Sequence, residues 1–291
     1  MDTKQTILAV DDEKINLNIL IDLLGDDYNV IVATSGQKAL KQVEKKKIDL
    51  ILLDIMMPEM DGYEVCNILK SQDSTKDIPI LFITAKTDDE SIVKGFEMGG
   101  VDYITKPFRP IELQARVKTH LKLSQTLKSL DYMASRDPMT GIYNRRRFFD
   151  LAQNMLDSTT NLFAVMIDID KFKLINDNYG HPFGDIVIKS VVNTVSKNLP
   201  QNAIFGRLGG EEFAIIYEAE SLEDVKNDVE LIRKSVEDLE EKYEDKIVKF
   251  TISNGISRKK DDDNLDELLK RADEALYEAK ESGRNRVCFR S

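Results

Sequence analysis

The chain is 291 residues long, 42% hydrophobic and 32% charged, with a formal net charge of −11. That length suits two domains with cores of their own, and the acidic balance argues against broad nucleic-acid binding, which needs Lys- and Arg-rich surfaces. No apolar run approaches the ~20 residues of a transmembrane helix. The start of the chain leads directly into a strand pattern, so no signal peptide is expected. Cys66 and Cys288 fall in different predicted domains, which fits small buried hydrophobes in a reducing cytoplasm rather than a disulfide framework. An acidic chain that takes an anionic nucleotide must hold it through metal and local Lys or Arg.

Residues 1 to about 110 alternate short apolar runs with helical patterns. The runs are Thr6–Val10, Val30–Ala33, Leu50–Leu53, Ile78–Ile83 and Val101–Ile104. Continuous apolar strands between amphipathic helices predict a doubly wound parallel sheet covered on both faces. Ligands of such sheets sit beyond the carboxyl ends of the strands, and those ends carry Asp11, Asp12, Asp54, Thr84 and Lys106. Carboxylates, a hydroxyl and an amine on one edge suit phosphoryl chemistry. One carboxylate can act as nucleophile while a cation and Lys106 neutralise the incoming group.

Val10-Asp-Asp-Glu13, Leu53-Asp-Ile-Met-Met-Pro-Glu-Met-Asp-Gly62, Thr84-Ala85 and Lys106-Pro107 together resemble a response-regulator receiver domain over roughly Lys4 to Thr119. The resemblance implies a flavodoxin-like fold, with Asp54 as phosphoacceptor. It also implies Mg²⁺ held by Asp11, Asp12, Asp54 and the main-chain carbonyl of Met56. Thr84 and Lys106 would contact the phosphoryl oxygens, Tyr103 would be the aromatic switch residue, and the peptide before Pro107 would be cis. A cognate histidine kinase or small phosphodonor is the implied partner.

Pro110 to about Arg136 is helix-like, with no internal Gly or Pro. Leu113, Val117 and Leu121 share one face, expected to pack on the first domain, and Leu123, Leu127, Leu130 and Ala134 share another. The second set fits a heptad seam, although an ordinary packed helix gives the same pattern. His120 is expected to be solvated. The segment ends at Arg136-Asp137-Pro138, because the residue before proline avoids the helical region. The expected boundaries are 1–119, a helical linker over 120–136 continuing the last helix of the first domain, and 137–291.

From Leu162 the pattern reads strand, short helix, helix (Asp185–Asn198), strand, hairpin, strand, long helix (Leu222–Lys242), strand (Val248–Ser257), helix (Asp266–Ser282) and strand (Arg286–Phe289). The Glu/Lys-rich helix 222–242 reads as a solvated face, Lys259–Asp263 as a loop, and His181 as part of a turn with Gly180. The centre of this half is Arg207-Leu-Gly-Gly-Glu-Glu-Phe213. Gly209-Gly210 between two apolar runs signals a hairpin, because glycine enters positive φ without steric cost. Glu211 and Glu212 follow the turn, and Asp168-Ile-Asp170 closes the run Leu162–Ile167. Acidic strand ends suit a hard cation such as Mg²⁺; a solvated acidic turn is the alternative.

Three further stretches complete a pattern: Asp137-Pro-Met-Thr-Gly-Ile-Tyr-Asn-Arg-Arg146, Lys171 through Asp185, and Ala272 through Asn285. With the hairpin they resemble the GGDEF family of diguanylate cyclases over about Ser135 to Ser291, with Glu211 where the family has Asp. The resemblance implies an α+β palm-like domain whose mainly antiparallel sheet has helices mainly on one side. It implies condensation of two GTP into cyclic di-GMP across a homodimer. Asp168, Glu211 and the main-chain oxygen of Ile169 would hold Mg²⁺ or Mn²⁺, and Glu212 would support metal or the attacking hydroxyl. Asn176 and Asp185 would read guanine, and Lys173, Lys280 and Arg284 would contact phosphate. Gly209 and Gly210 would let the backbone approach the nucleotide.

Many members of the family also carry an Arg-x-x-Asp product-binding motif beginning nine residues before the first hairpin glycine. Here that window is Pro200-Gln-Asn-Ala203, with neither charge. The alternative to an enzyme is a catalytically weak scaffold that binds GTP or cyclic di-GMP. A DNA-binding regulator is excluded by the absence of a helix-turn-helix or a basic C-terminal domain. No nucleic-acid or membrane partner is expected, and the expected location is the cytoplasm.

Overall fold

The computed structural model describes residues 4–85 and 89–291, with the side chains of 89–91 left out. The first three residues of the expected first domain lie outside the described residues. The chain divides into two units, 1–130 and 131–291, each with its own main sheet. No described helix is long and apolar enough to cross a membrane.

The first unit runs β1 (Thr6–Val10), α1 (Lys14–Leu24), β2 (Asn29–Ala33), α2 (Gly36–Lys45), β3 (Leu50–Asp54), α3 (Gly62–Lys70), β4 (Ile80–Thr84), α4 (Asp89–Glu97), β5 (Asp102–Thr105) and α5 (Pro110–Ser135). All strands are parallel, in the order β2-β1-β3-β4-β5. Every residue of β3 and β4 is buried, as a strand covered on both faces must be. Leu8, Val10, Leu53 and Phe82 face one core with Val65 and Leu69 of α3. Ile7, Ala9 and Leu52 face the other, where Leu113, Val117 and Leu121 of α5 pack as expected. Strand order reverses between β1 and β3, which opens a crevice at their carboxyl ends.

No break separates the last helix of the first unit from the expected linker. α5 is one helix, and the division of the chain falls inside it, after Leu130. His120 is not solvated: its Nε2 lies 3.0 Å from Asp102 Oδ2, because Asp102 at the start of β5 also draws Arg116 onto the same face of α5. Leu123, Leu127 and Leu130 are more than half exposed.

The second unit runs β6 (Tyr143–Asn144), α6 (Arg145–Ser158), β7 (Leu162–Ile169), α7 (Phe172–Tyr179), α8 (His181–Asn198), β8 (Ile204–Gly209), β9 (Glu212–Glu218), α9 (Leu222–Glu237), β10 (Glu241–Tyr243), β11 (Lys246–Val248), β12 (Ile252–Arg258), α10 (Leu265–Glu281) and β13 (Val287–Arg290). Six strands form one sheet, β13-β12-β7-β9-β8-β6. The three central pairings are antiparallel and the two outer ones parallel. Helices cover both faces rather than mainly one. Phe163, Val165 and Ile167 of β7 meet α7, α8 and α9, while Leu162, Ala164 and Met166 meet α6 and α10. The strict alternation of a fully buried strand requires this second layer.

Helix α9 stops at Glu237, five residues before the expected end. Residues 241–243 pair with 246–248 as a hairpin, turned at Glu244 with φ 51. The Tyr243 ring meets Tyr179 and Phe183 at 5.2 and 5.1 Å, and this aromatic cluster outweighs the helix propensity of the Glu/Lys run. The strand expected over 248–257 is accordingly split between β11 and β12. The face of α9 carrying Val225, Val229, Ile232 and Val236 is buried. Cys66 is buried and Cys288 half-buried, both as free thiols.

Candidate functional sites

In the first unit, β1 ends at Asp11 and Asp12 and β3 at Asp54. Carboxylate oxygens of all three lie within 4.8 Å of one another. Lys106 Nζ is 2.8 Å from both Asp11 Oδ2 and Asp54 Oδ2. It reaches them from just after β5, where its N–H donates to Thr84 O and the Lys106–Pro107 peptide is cis. Burial pushes the Asp54 carboxyl above its usual range, against the pull of Lys106. Met56 N approaches Asp54 Oδ1 at 3.4 Å, and the Met56 side chain is exposed. A Cβ on Gly62 would stand 2.3 Å from Asp54 O, so the chain can close behind the carboxylate only with glycine there. Thr84 is buried at the end of β4, and Tyr103 packs edge-on to Phe96, with Arg116 over its ring. Asn16 was not singled out in the sequence; its Nδ2 donates to both oxygens of Asp11 at 3.0 Å. An asparagine five positions after an acidic strand end, on the first turn of a helix, is the signal that could have found it.

In the second unit, β7 brings Asp168 opposite Glu212 of β9. Glu211 occupies the turn between β8 and β9, with Gly210 at φ 49. A Cβ at Gly209 or Gly210 would meet nothing within 4 Å, so the turn is open on its outer side. Lys280, in the last turn of α10, is 2.8 Å from Asp168 Oδ2. Burial, opposed by Lys280 and reinforced by Glu211 and Glu212, pushes the Asp168 carboxyl up to about 6. Among the described residues Asp168, Glu211 and Glu212 do not form a three-carboxylate cluster as tight as that of the first unit. The donor set is all oxygen, and the crowding of like charge is of the kind a divalent cation relieves, so Mg²⁺ or Mn²⁺ fits it.

Asn176 lies on α7 and Asp185 on α8, two helices in contact with each other. Gly180, at φ 82, caps both helices, with His181 the first residue of α8. A Cβ on Gly184 would meet Asn176 Oδ1 at 2.0 Å, so glycine is needed for this approach. Asn176 Oδ1 is buried with no hydrogen-bond partner. Lys173 is exposed on α7. Arg284, at φ 64, is exposed and lines a cleft with Asp170, Lys171 and Lys249.

The motif beginning at Asp137 supports the hairpin from outside. Asp137 accepts from Thr140 and, at 3.0 Å, from Arg207, whose Nε donates to Gly210 O at 2.9 Å. Asn144 caps α6 and donates to Ala134 O at the end of α5. Asp170, Asn285 and Arg233, also outside the expected site, form a part-buried network two residues along the chain from Asp168.

A parallel-sheet unit with an acidic triad and a lysine, followed by a mixed-sheet unit with an acidic hairpin, defines a receiver joined to a nucleotide-cyclase-like domain. The family described as "Response regulator receiver domain" matches residues 7–118, and "Diguanylate cyclase, GGDEF domain" matches residues 134–286. The chain belongs to the GGDEF family and carries a receiver domain ahead of it. It is 32% identical to the response regulator PleD of Caulobacter vibrioides, over 97% of this chain and 65% of PleD. It is 42% identical to the probable diguanylate cyclase DgcT of Escherichia coli, over 54% of this chain and 36% of DgcT. The chain thus spans less than two thirds of either relative. The solved coiled coil and GGDEF domain of DgcB from Caulobacter crescentus, in complex with c-di-GMP, superimposes with a TM-score of 0.58 at 29% identity, over 62% of this chain and 98% of that solved chain.

Proposed function

We propose that this chain is a cytoplasmic response regulator that condenses two GTP into cyclic di-GMP, under control of phosphorylation at Asp54. The supporting observation is that Asp168 stands opposite Glu212, within electrostatic reach of Glu211 and paired with Lys280, in a unit where the Asn176 Oδ1 of α7 is buried and unspent. Unpaired buried polar atoms are costly, and guanine, with donors at N1 and N2, would supply what Asn176 and Asp185 accept.

Asp168, Glu211 and the main-chain oxygen of Ile169 would hold Mg²⁺ or Mn²⁺, with Glu212 behind them. A divalent ion there supplies activation of the 3′-hydroxyl and shielding of the α-phosphate and leaving pyrophosphate. Lys280, Arg284 and Lys173 bind the phosphates, and the Gly209–Gly210 backbone admits the nucleotide. The 3′-hydroxyl of one GTP attacks the α-phosphate of the other with loss of pyrophosphate, and the reverse attack closes the ring. One domain holds one GTP, so two chains must face each other. In the receiver, Asp54 accepts the phosphoryl group from a histidine kinase or small phosphodonor. Asp11, Asp12 and the Met56 carbonyl would hold the cation, and Lys106, Thr84 and Tyr103 would register the new charge. The domain limits that fit this reading are 1–119 and 137–291, with the exposed half of α5 between them.

The test is incubation of the purified chain with GTP and Mg²⁺, with and without a small phosphodonor, reading cyclic di-GMP and pyrophosphate. Turnover is expected, and Glu211→Gln should lower it at least about 100-fold while the fold persists, the scale on which preorganised charge contributes. Nucleotide binding without turnover in the wild type would instead make the domain a scaffold.

A further inference from the structure

We propose that Asp170 is a positioning residue that, with Asn285 and Arg233, sets the turn 283–285 beside the phosphate site, and is not a metal ligand. The inference rests on the GTP reading above for what that turn is positioned to do.

Asp170 lies two residues beyond Asp168 on the same face of the chain, where a second metal carboxylate would be looked for. Its carboxylate is already engaged. Oδ1 accepts from Ser253 Oγ at 2.7 Å. Oδ2 accepts from Thr251 Oγ1 at 2.7 Å and from the Asn285 N–H at 3.0 Å. The residue is 6% exposed. A carboxylate has about four acceptor positions, and three of them face protein donors.

The turn these bonds hold is strained. Gly283, Arg284 and Asn285 have φ of 116, 64 and 48, so two successive side-chain-bearing residues are left-handed. Such conformations persist where the surroundings over-determine them. Here β12 and α9 do so from two sides. Asp170, Thr251 and Ser253 fix the Asn285 backbone. On the α9 side, Arg233 donates to Asn285 Oδ1 at 2.6 Å, and Asn285 Nδ2 donates to Glu237 Oε1 at 2.7 Å. Arg233 is itself buried and forked onto Glu230 at 2.8 and 2.9 Å. The turn joins Lys280 to β13, and the Arg284 N–H returns to Ala279 O at 3.0 Å. Two of the three expected phosphate-binding cations, Lys280 just before it and Arg284 within it, are therefore tied to this one clamped turn.

Asp170→Asn preserves the geometry: its carbonyl oxygen can accept from Thr251 and Asn285 while its amide donates to the Ser253 hydroxyl. Asp170→Ala removes every acceptor. A positioning role predicts that Asp170→Ala raises the KM for GTP by about 10–100-fold, the scale on which groups that orient ligating residues contribute at metal sites. Guanosine binding should be unchanged, and Asp170→Asn should stay close to wild type with the same Mg²⁺ dependence. Asn285→Ala should mimic Asp170→Ala, and Asn285→Gly, which takes positive φ freely, should recover part of the loss. This pair decides the matter if Asp170→Ala does not fold. An unchanged KM in Asp170→Ala, or an Asp170→Asn as impaired as the alanine with a shifted Mg²⁺ requirement, overturns the proposal while leaving the cyclase reading intact. A wild type without GTP turnover sinks the cyclase reading instead. The clamp is then judged by amide exchange over 283–286, which Asp170→Ala should accelerate and Asp170→Asn should not; equal exchange in both overturns it.

Discussion

Asp168 is 8% exposed and stands opposite Glu212, with Lys280 at 2.8 Å. Folding raises its carboxyl from 3.8 to about 6, chiefly by burial. The sign follows directly. Below about pH 4 the group is protonated folded and unfolded and costs nothing, whereas above about pH 6 the folded state carries a charge it disfavours. Stability of the metal-free second unit should therefore fall as pH rises between those limits, by roughly 1–3 kcal/mol. Asp168→Asn should abolish that fall and melt higher than wild type at about pH 7.5, while losing turnover. Melting curves across the pH range check this, and parallel profiles for the two proteins would contradict it. Asp185 offers a second test at this scale. Asp185→Ala should weaken GTP binding by about 1–3 kcal/mol and leave the poorer ATP binding nearly unchanged. Calorimetry with both nucleotides measures the difference, and equal losses would remove Asp185 from base recognition.

Among the elements, β12 carries the clearest uncompensated cost. Asn254 is fully buried between Ile252 and Ile256 on one face of the strand, opposite Ile167, and neither of its side-chain polar atoms has a partner. Replacing such a group by an apolar one of like shape is neutral to stabilising. Asn254→Leu should raise the denaturant midpoint of the second unit, by an amount worth about 1–3 kcal/mol, with turnover retained. A lower midpoint would reveal a partner for the amide in solution. Helix α5 divides differently. Its first half buries Leu113, Val117 and Leu121, and its second half leaves Leu123, Leu127 and Leu130 exposed at spacings of four and three. Spacings of four and three fit a heptad seam, and under the proposed function a second chain would cover it.

At the scale of the whole molecule, the acidic triad and the acidic hairpin lie in separate units, so under the proposed function phosphorylation at Asp54 would act on the encounter or orientation of two chains. Turnover per chain should rise with protein concentration when unphosphorylated and lose much of that dependence after phosphodonor treatment. Asp54→Asn should abolish the response yet keep basal turnover at high concentration. Ultracentrifugation and solution scattering alongside the assay check this. Full activation with unchanged dimer population and unchanged geometry would rule it out. Feedback belongs to the same scale. The window Pro200–Ala203 has no charge, Arg207 is held by Asp137, and Arg233 is buried against Glu230 and Glu237. Initial rates should accordingly change little with micromolar product, and strong non-competitive inhibition would locate a product site elsewhere.

The sequence by itself determined the two-sheet plan, because apolar periodicity, turn glycines and acidic strand ends are local signals. Asp11, Asp54 and Lys106 were legible at strand ends, and Asp168, Glu211, Asn176 and Asp185 in contiguous motifs. Tertiary structure alone decided which charged groups are already engaged. Asp170 reads like Asp168 in sequence, yet its donors come from 81, 83 and 115 residues away. Arg207 finds Asp137 across 70 residues. His120 looked solvated on a polar helix until β5 placed Asp102 beside it. Helix α9 ends early because Tyr243 meets Tyr179 and Phe183, a contact that no local pattern encodes. Periodicity reports which face of an element is buried; the partner that meets a polar group there is set by chain closure over long separations, which only the assembled fold specifies.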